Sequence, residues 1–86
     1  MENIYAIYDV KAEQFLPPFF AKTNGVAIRM FEQAANDQQH DFNKYAEDYS
    51  LFKIGTWNPE DATIENVKAL EPLGNALQFQ AAEPAG

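Results

Sequence analysis

Residues 49–57 read Tyr49-Ser50-Leu51-Phe52-Lys53-Ile54-Gly55-Thr56-Trp57, and their alternation decides the fold. Successive side chains of a β-strand point to opposite faces. Strict alternation puts Tyr49, Leu51, Lys53, Gly55 and Trp57 on one face and Ser50, Phe52, Ile54 and Thr56 on the other. The period is two, so the stretch is a strand. A second strand lies at Ile4 to Val10, Ile-Tyr-Ala-Ile-Tyr-Asp-Val, which is rich in β-formers, free of Gly and Pro, and apolar enough to be buried on most of both faces.

Between these strands the chain changes character several times. Lys11 to Gln14 is polar and turns the chain. Phe15 to Thr23 is apolar again around Pro17-Pro18. Two prolines remove two ladder donors, so this segment is an edge strand or a polyproline-like stretch and not a central strand. Thr23-Asn24-Gly25 then starts a helix, with Thr23 or Asn24 capping its free amides. Ala27, Met30, Phe31 and Ala34 recur at helical spacing as its apolar stripe, and the helix fades at Asn36-Asp37. A helix of this length is marginal alone and needs a surface to pack on.

Gln38 to Asp48 is polar and acidic and reads as a loop with one helical turn near Asn43 to Asp48. After Trp57, Asn58-Pro59-Glu60-Asp61 is a turn. Ala62 to Ala69 returns as the hairpin partner, carrying Ile64 and Val67, with a short helix from Asp61 as the competing reading. Leu70 to Phe79 reads as a loop with a last short strand at Ala76 to Phe79. Consecutive strands around one helix predict an α+β fold: a small antiparallel sheet of three to four strands with one main helix packed on one face. Residues 1–79 form the single domain, and 80–86 a flexible C-terminal tail.

The chain has 86 residues, 47% hydrophobic and 14% aromatic, enough for a single compact core and too short for two domains. Its net charge of −7 comes from 13 acidic and 6 basic residues. Lys11, Lys22, Arg29, Lys44, Lys53 and Lys68 are scattered, with no two adjacent. No basic stripe is available to neutralise a phosphate backbone, which disfavours nonspecific nucleic-acid binding by a monomer and binding to anionic membranes. Cysteine is absent, which excludes disulfide scaffolds and thiolate zinc sites. The start, Met1-Glu2-Asn3-Ile4, lacks the pattern of a signal peptide, and the longest apolar runs fall short of a membrane span.

The residues carry no catalytic constellation. His40, between Asp37 and Asp41, is the one histidine, and these three read as loop residues facing water, not as metal ligands or an acid/base group. Thr23, Ser50, Thr56 and Thr63 have no base placed beside them by spacing. The glycines at 25, 55, 74 and 86 are isolated, so there is no phosphate loop. Glu47-Asp48 and Glu60-Asp61 are adjacent pairs and read as solvated charges. The expectation is a protein that is not an enzyme, with no cofactor and no metal.

The aromatics are more informative. Tyr5, Tyr8, Phe15, Phe19, Phe20, Phe52 and Trp57 all fall on extended segments. Three readings stand side by side: core, a homodimer interface, or a platform on which unpaired bases stack. Phe15-Leu16-Pro17-Pro18-Phe19-Phe20 and Trp57 are the interface or stacking candidates, because the first segment is apolar, stiff and edge-like. Lys11, Lys22, Arg29 and Lys53 are the nucleic-acid contacts that stacking would need beside the rings.

Several motifs stand in a recognisable order: Tyr8-Asp9 with Lys11-Ala12, then Leu16-Pro17-Pro18-Phe19-Phe20, Ala27-x-Arg29-x-Phe31, Glu47-Asp48-Tyr49-x-Leu51-Phe52-x-Ile54-Gly55-x-Trp57 and Leu73-Gly74-Asn75-Ala76. Over roughly residues 4 to 79 this order resembles the small nonstructural protein of gokushovirus-type Microviridae, bacteriophages with single-stranded DNA genomes. One departure is Ala46, where the family pattern has proline. Members of that family are compared, by genome position, with a microvirus protein associated with the switch from duplex replication to packaging of single strands. The resemblance implies an accessory protein of viral DNA replication or packaging, in the cytoplasm of the infected bacterium and outside the mature virion.

The acidic balance turns the expected contacts towards proteins: a homo-oligomer, a dimer above all, meeting the viral replication or capsid proteins. Binding of single-stranded DNA through sheet aromatics is the first alternative. An acidic decoy of a host nucleic-acid-binding protein is the second.

Overall fold

The computed structural model describes residues 1–80. Along the chain run β1 (Glu2–Asp9), β2 (Gln14–Phe15), β3 (Phe19–Ala21), α1 (Asn24–Ala35), α2 (Asp41–Lys44), a 3-10 turn (Ala46–Asp48), β4 (Tyr49–Asn58), β5 (Thr63–Asn75) and α3 (Ala76–Phe79). All strand pairings are antiparallel. The sheet has the order β2-β1-β4-β5, with β3 also paired to β1. It therefore has five strands, against the three to four read from the sequence, and three short helical elements accompany α1.

The extra strand comes from the prolines. β2 and β3 lie along the same side of β1, Tyr8 opposite Phe15 and Tyr5 opposite Phe19. Leu16 still donates its amide to the Ile7 carbonyl at 2.8 Å. Pro17 and Pro18 have no amide to donate. The register slips by one residue across them, so the two prolines together face Ala6. One edge strand is thus split into two pieces on the outside of the sheet, as the sequence requires.

Thr23 caps α1, its hydroxyl accepting the Val26 amide at 3.1 Å. The helix buries Ala27, Phe31 and Ala35, spaced four apart, against Tyr5, Ile7, Ala21 and Leu51. Tyr5 is wholly buried and donates its hydroxyl to Asn24 Oδ1 at 2.7 Å, which ties β1 to the first turn of α1. Met30, placed on the apolar stripe by the sequence reading, is 46% exposed. The stripe follows Ala27, Phe31 and Ala35 instead, one step round from Met30.

The segment 38–48 is better ordered than its polarity suggested. His40 is the N-cap of α2, its Nδ1 accepting the Phe42 amide at 3.0 Å. Its ring packs on Phe42, with centroids 4.3 Å apart. Phe42 and Ala46 join the core, and the Phe42 ring meets Phe31 and Tyr49. His40 therefore has a structural task in the turn.

β5 departs furthest from expectation. It extends to Asn75, where a loop was read from Leu70, and Ala76–Phe79 is a helical turn and not a strand. Asn75 causes the change. Its side chain accepts the Leu77 amide at 2.9 Å, and Gln78 Oε1 accepts the Asn75 amide at 2.7 Å, a capping box that starts a helix. The Asn75 amide side chain also donates to the Glu47 carbonyl and Ser50 Oγ. Gln80, assigned to the tail, donates its side-chain amide to the Asn43 carbonyl at 3.0 Å; the rest of that tail, residues 81–86, lies outside the described residues.

Three register shifts mark β4 and β5; one leaves Leu73 inserted between Pro72 and Gly74, and the other two shape the sheet near Ile54. Between Ile4/Gly55 and Tyr5/Lys53 the β1–β4 register shifts, leaving Ile54 as an inserted residue in β4. Across β4 and β5, Lys53 pairs with Glu71 and Gly55 with Asn66, so residues 67–70 stand against Ile54 alone. Close approach here demands glycine: a Cβ on Gly55 would lie 2.6 Å from the Glu65 carbonyl oxygen. Phe31→Ala is expected to cost about 3–5 kcal/mol, and Met30→Ala under about 0.5 kcal/mol. Urea unfolding followed by circular dichroism separates the two; equal costs would refute the burial pattern.

Candidate functional site

A strand with apolar residues in both of its alternating sets needs cover on both faces. β1 is such a strand. Tyr5 and Ile7 face the helices, and Ile4 and Ala6 face the other way, yet these two are only 4% and 2% exposed. Among the described residues no helix covers that second face. Aromatic rings reach across it instead.

Phe15 on β2 meets Phe52 on β4 with centroids 5.7 Å apart, and Phe20 on β3 meets Trp57 on β4 at 6.0 Å. β1 lies between those strands, which are about 10 Å apart in an ordinary sheet. Each ring pair therefore bridges over β1. Tyr8 completes the row, edge-on to Phe15 at 4.9 Å.

Beside the rings a groove of about 810 Å³ opens, floored by Ala6 and Ile54 and walled by Leu16, Pro17 and Pro18 on one side and Val67 and Leu70 on the other. The excursion at 67–70 is what builds that second wall. Phe15, Phe20, Ile64 and Leu70 remain 40–58% exposed.

The inserted Ile54 also decides where Trp57 goes. Unbroken alternation assigns Trp57 to the face of Tyr49 and Leu51. After the insertion the two sets exchange: Trp57 pairs with Glu2 and shares the face of Ile4, opposite to Leu51. The structure thus brings Phe15, Pro17, Pro18, Phe20 and Trp57 together on one face. It turns Phe19 away, stacked on Tyr5 at 5.7 Å towards the helices, and Leu16 packs against the core while also lining the groove. Ile4, Ala6, Tyr8, Phe52, Ile54, Ile64, Val67 and Leu70 belong to the same face and were not singled out as a site. The alternation of β1 already carried the signal for Ile4, Ala6 and Tyr8.

Lys68 lies in the 67–70 excursion beside the groove, but the cations named from the sequence as nucleic-acid contacts do not gather there. Lys53 pairs with Tyr5 and shares its helix-side face. Arg29 is on the exposed surface of α1 and Lys11 is in the turn after β1. Lys22 follows β3 beyond the last ladder pair, at the margin where Glu2 stands. Of the paired ladder positions on the aromatic face, only Glu2 carries charge, among the described residues.

Charge is concentrated at one end of the helix side. Asp9, Lys11, Asp41, Tyr45, Asp48 and Tyr49 line a depression there. Burial, followed by the carboxylates of Asp9, Asp41 and Asp48, pushes the Tyr49 phenol above its ordinary value of 10.0. The aromatic face, with Glu2 and Lys22 at its margin, and the acidic end are therefore separate surfaces. Among the described residues no group of three or more His, Cys, Asp or Glu is placed to hold a metal ion, and no helix is long and apolar enough to cross a membrane.

Comparison with curated proteins and with solved structures finds no match. The Phage ORF5 protein family matches over residues 2–79, which takes in every strand and helix described above. The chain belongs to the Phage ORF5 protein family.

Proposed function

We propose that this phage protein is a non-catalytic accessory protein of the gokushovirus-type Microviridae, acting in replication or packaging of the single-stranded DNA genome through contacts with other proteins. The observation that carries this reading is the separation of rings from cations. A base-stacking platform needs basic side chains along the backbone track, whereas Lys11, Arg29 and Lys53 lie away from the aromatic face and Lys22 stands at its margin beside Glu2. Uncharged aromatic surface is the composition of a protein–protein contact centre.

The acidic depression at Asp9, Asp41 and Asp48 suits a basic partner, such as the replication initiator or an assembling capsid protein, by electrostatic complementarity. The protein acts in the cytoplasm of the infected bacterium and leaves the mature virion without it. One observation favours a second reading, direct single-strand binding: Phe15, Phe20, Phe52 and Trp57 do lie on one face, as stacked bases would require.

The two readings separate in solution. Capture of the tagged protein from infected cells is expected to recover viral replication or capsid proteins, and recovery of neither would refute the leading reading. Titration with a labelled single-stranded oligonucleotide at low salt is expected to give no binding. Salt-dependent affinity that falls in Trp57→Ala would establish the second reading instead.

The acidic end makes its own prediction. The Tyr49 pKa is raised in the fold, so its contribution to stability is complete below pH 10 and is lost as pH rises through the folded value. Asp48→Asn removes one of the carboxylates responsible. Tyrosine Cζ shifts followed by NMR are expected to show Tyr49 titrating lower in that variant, and an unmoved titration would contradict the placement of the three carboxylates.

A further inference from the structure

We propose that the aromatic sheet face is the interface of a homodimer, in which the Phe20–Trp57–Ile64 cluster of each copy enters the groove between Pro17-Pro18 and Leu70 of the other. The inference rests on the protein-contact reading above and names the occupant of that face.

Three observations select a second copy over other occupants. The first is charge. Two chains of net charge −7 repel unless their contact surfaces are free of that charge. Both acidic residues of β5 avoid this face, since Glu65 pairs with Thr56 and Glu71 with Lys53, positions of the helix side; Glu2, opposite Trp57, is the one acidic residue among its paired positions. A basic partner finds no counter-charge here beyond Glu2, and a nucleic acid finds no row of cations. A like face is the surface that an uncharged apolar face complements.

The second is relief. The apolar cluster taken as the projection sits at the level of Glu2–Ile4, where Phe20 is 46% and Ile64 58% exposed. The groove sits further along the strands, at Ala6 and Ile54. Projection and recess are thus displaced along the strand direction on one face. A twofold axis lying between two facing sheets, across their strands, carries each projection onto the other copy's recess. An interface of this isologous kind closes after two copies.

The third is area. The face is four strands wide, about 4.8 Å each, and eight residues long at about 3.3 Å each, or about 500 Å² in plan. Two copies then bury about 1,000 Å² or more, the lower bound for a specific interface. An interface near that bound belongs with weak, transient contacts, and its area alone does not set the affinity.

The test is light scattering and sedimentation of the full chain from about 1 to 200 µM, with three variants that introduce one charge each. Wild type is expected to reach twice the 9.7 kDa chain mass. Ile64→Glu and Leu70→Glu, both on exposed side chains of the projection and the groove wall, should each raise the dissociation constant about thirtyfold or more. Met30→Glu, equally exposed but on α1, should leave it unchanged. Circular dichroism confirms that each variant is folded. A wild type that stays monomeric throughout overturns the proposal, as does dissociation by Met30→Glu with Ile64→Glu and Leu70→Glu still dimeric. Binding of oligonucleotide or of an unrelated apolar peptide by a monomeric wild type overturns it too. Viral proteins captured by a monomeric chain would sink the dimer and leave the accessory reading intact. A dimer that captures none would do the reverse.

Discussion

β1 is apolar on both of its faces, and the rest of the structure answers that constraint. Tyr5 and Ile7 require a layer on one side, which α1, α2 and α3 supply through Ala27, Phe31, Phe42 and Ala76. Ile4 and Ala6 require a layer on the other, and no helix remains to give it. The chain covers them with rings from the strands on either side, Phe15 against Phe52 and Phe20 against Trp57. Each edge-to-face pair adds about 0.5–1.5 kcal/mol beyond its buried area. Roofing a strand with rings buries what lies beneath and leaves the outer faces of the rings in water. A sheet covered in this way has finished one side of its core and only begun the other.

The two register shifts around Ile54 belong to the same solution. Without the inserted Ile54, Trp57 would point towards α1 and Ile4 would lose half of its cover. Without the excursion at 67–70, the groove beside Pro17-Pro18 would have one wall. Bulges re-aim side chains at functional surfaces, and here they re-aim a tryptophan and build a recess within a few residues of each other. Gly55 permits the close approach of β5 at this point, since a Cβ there would lie 2.6 Å from the Glu65 carbonyl oxygen.

Much of this was legible in the sequence. The alternation of β4, the two-faced apolarity of β1, the proline-broken edge and the Thr23 cap each have local chemical causes, and local causes can be read residue by residue. The face of Trp57 could not be read, because an inserted residue leaves no mark on composition and inverts everything after it. Met30 and Ala35 differ only in which side of α1 the sheet occupies, a matter of tertiary packing. Asn75 is a cap residue of the same kind as Thr23, and it starts a helical turn where a last short strand was read at Ala76 to Phe79. His40 read as a loop residue facing water, whereas its ring accepts a backbone amide two residues on and packs on Phe42. The aromatic face was half visible: its rings could be named, but the insertion that assembles them could not.

The chain thus carries an aromatic face with charge only at its margin and a separate acidic end, and the family to which it belongs is one of phage proteins. Trp57 is the single tryptophan of the chain and sits in the face that the dimer would close, so its own emission reports directly on that closure. Fluorescence across a dilution series from well above to well below the dimer dissociation constant is the decisive measurement. The account predicts a blue-shifted, poorly quenched indole at high concentration that shifts to the red and becomes accessible to acrylamide on dilution. Emission and quenching that stay constant over the whole series, with the chain folded throughout, would contradict it.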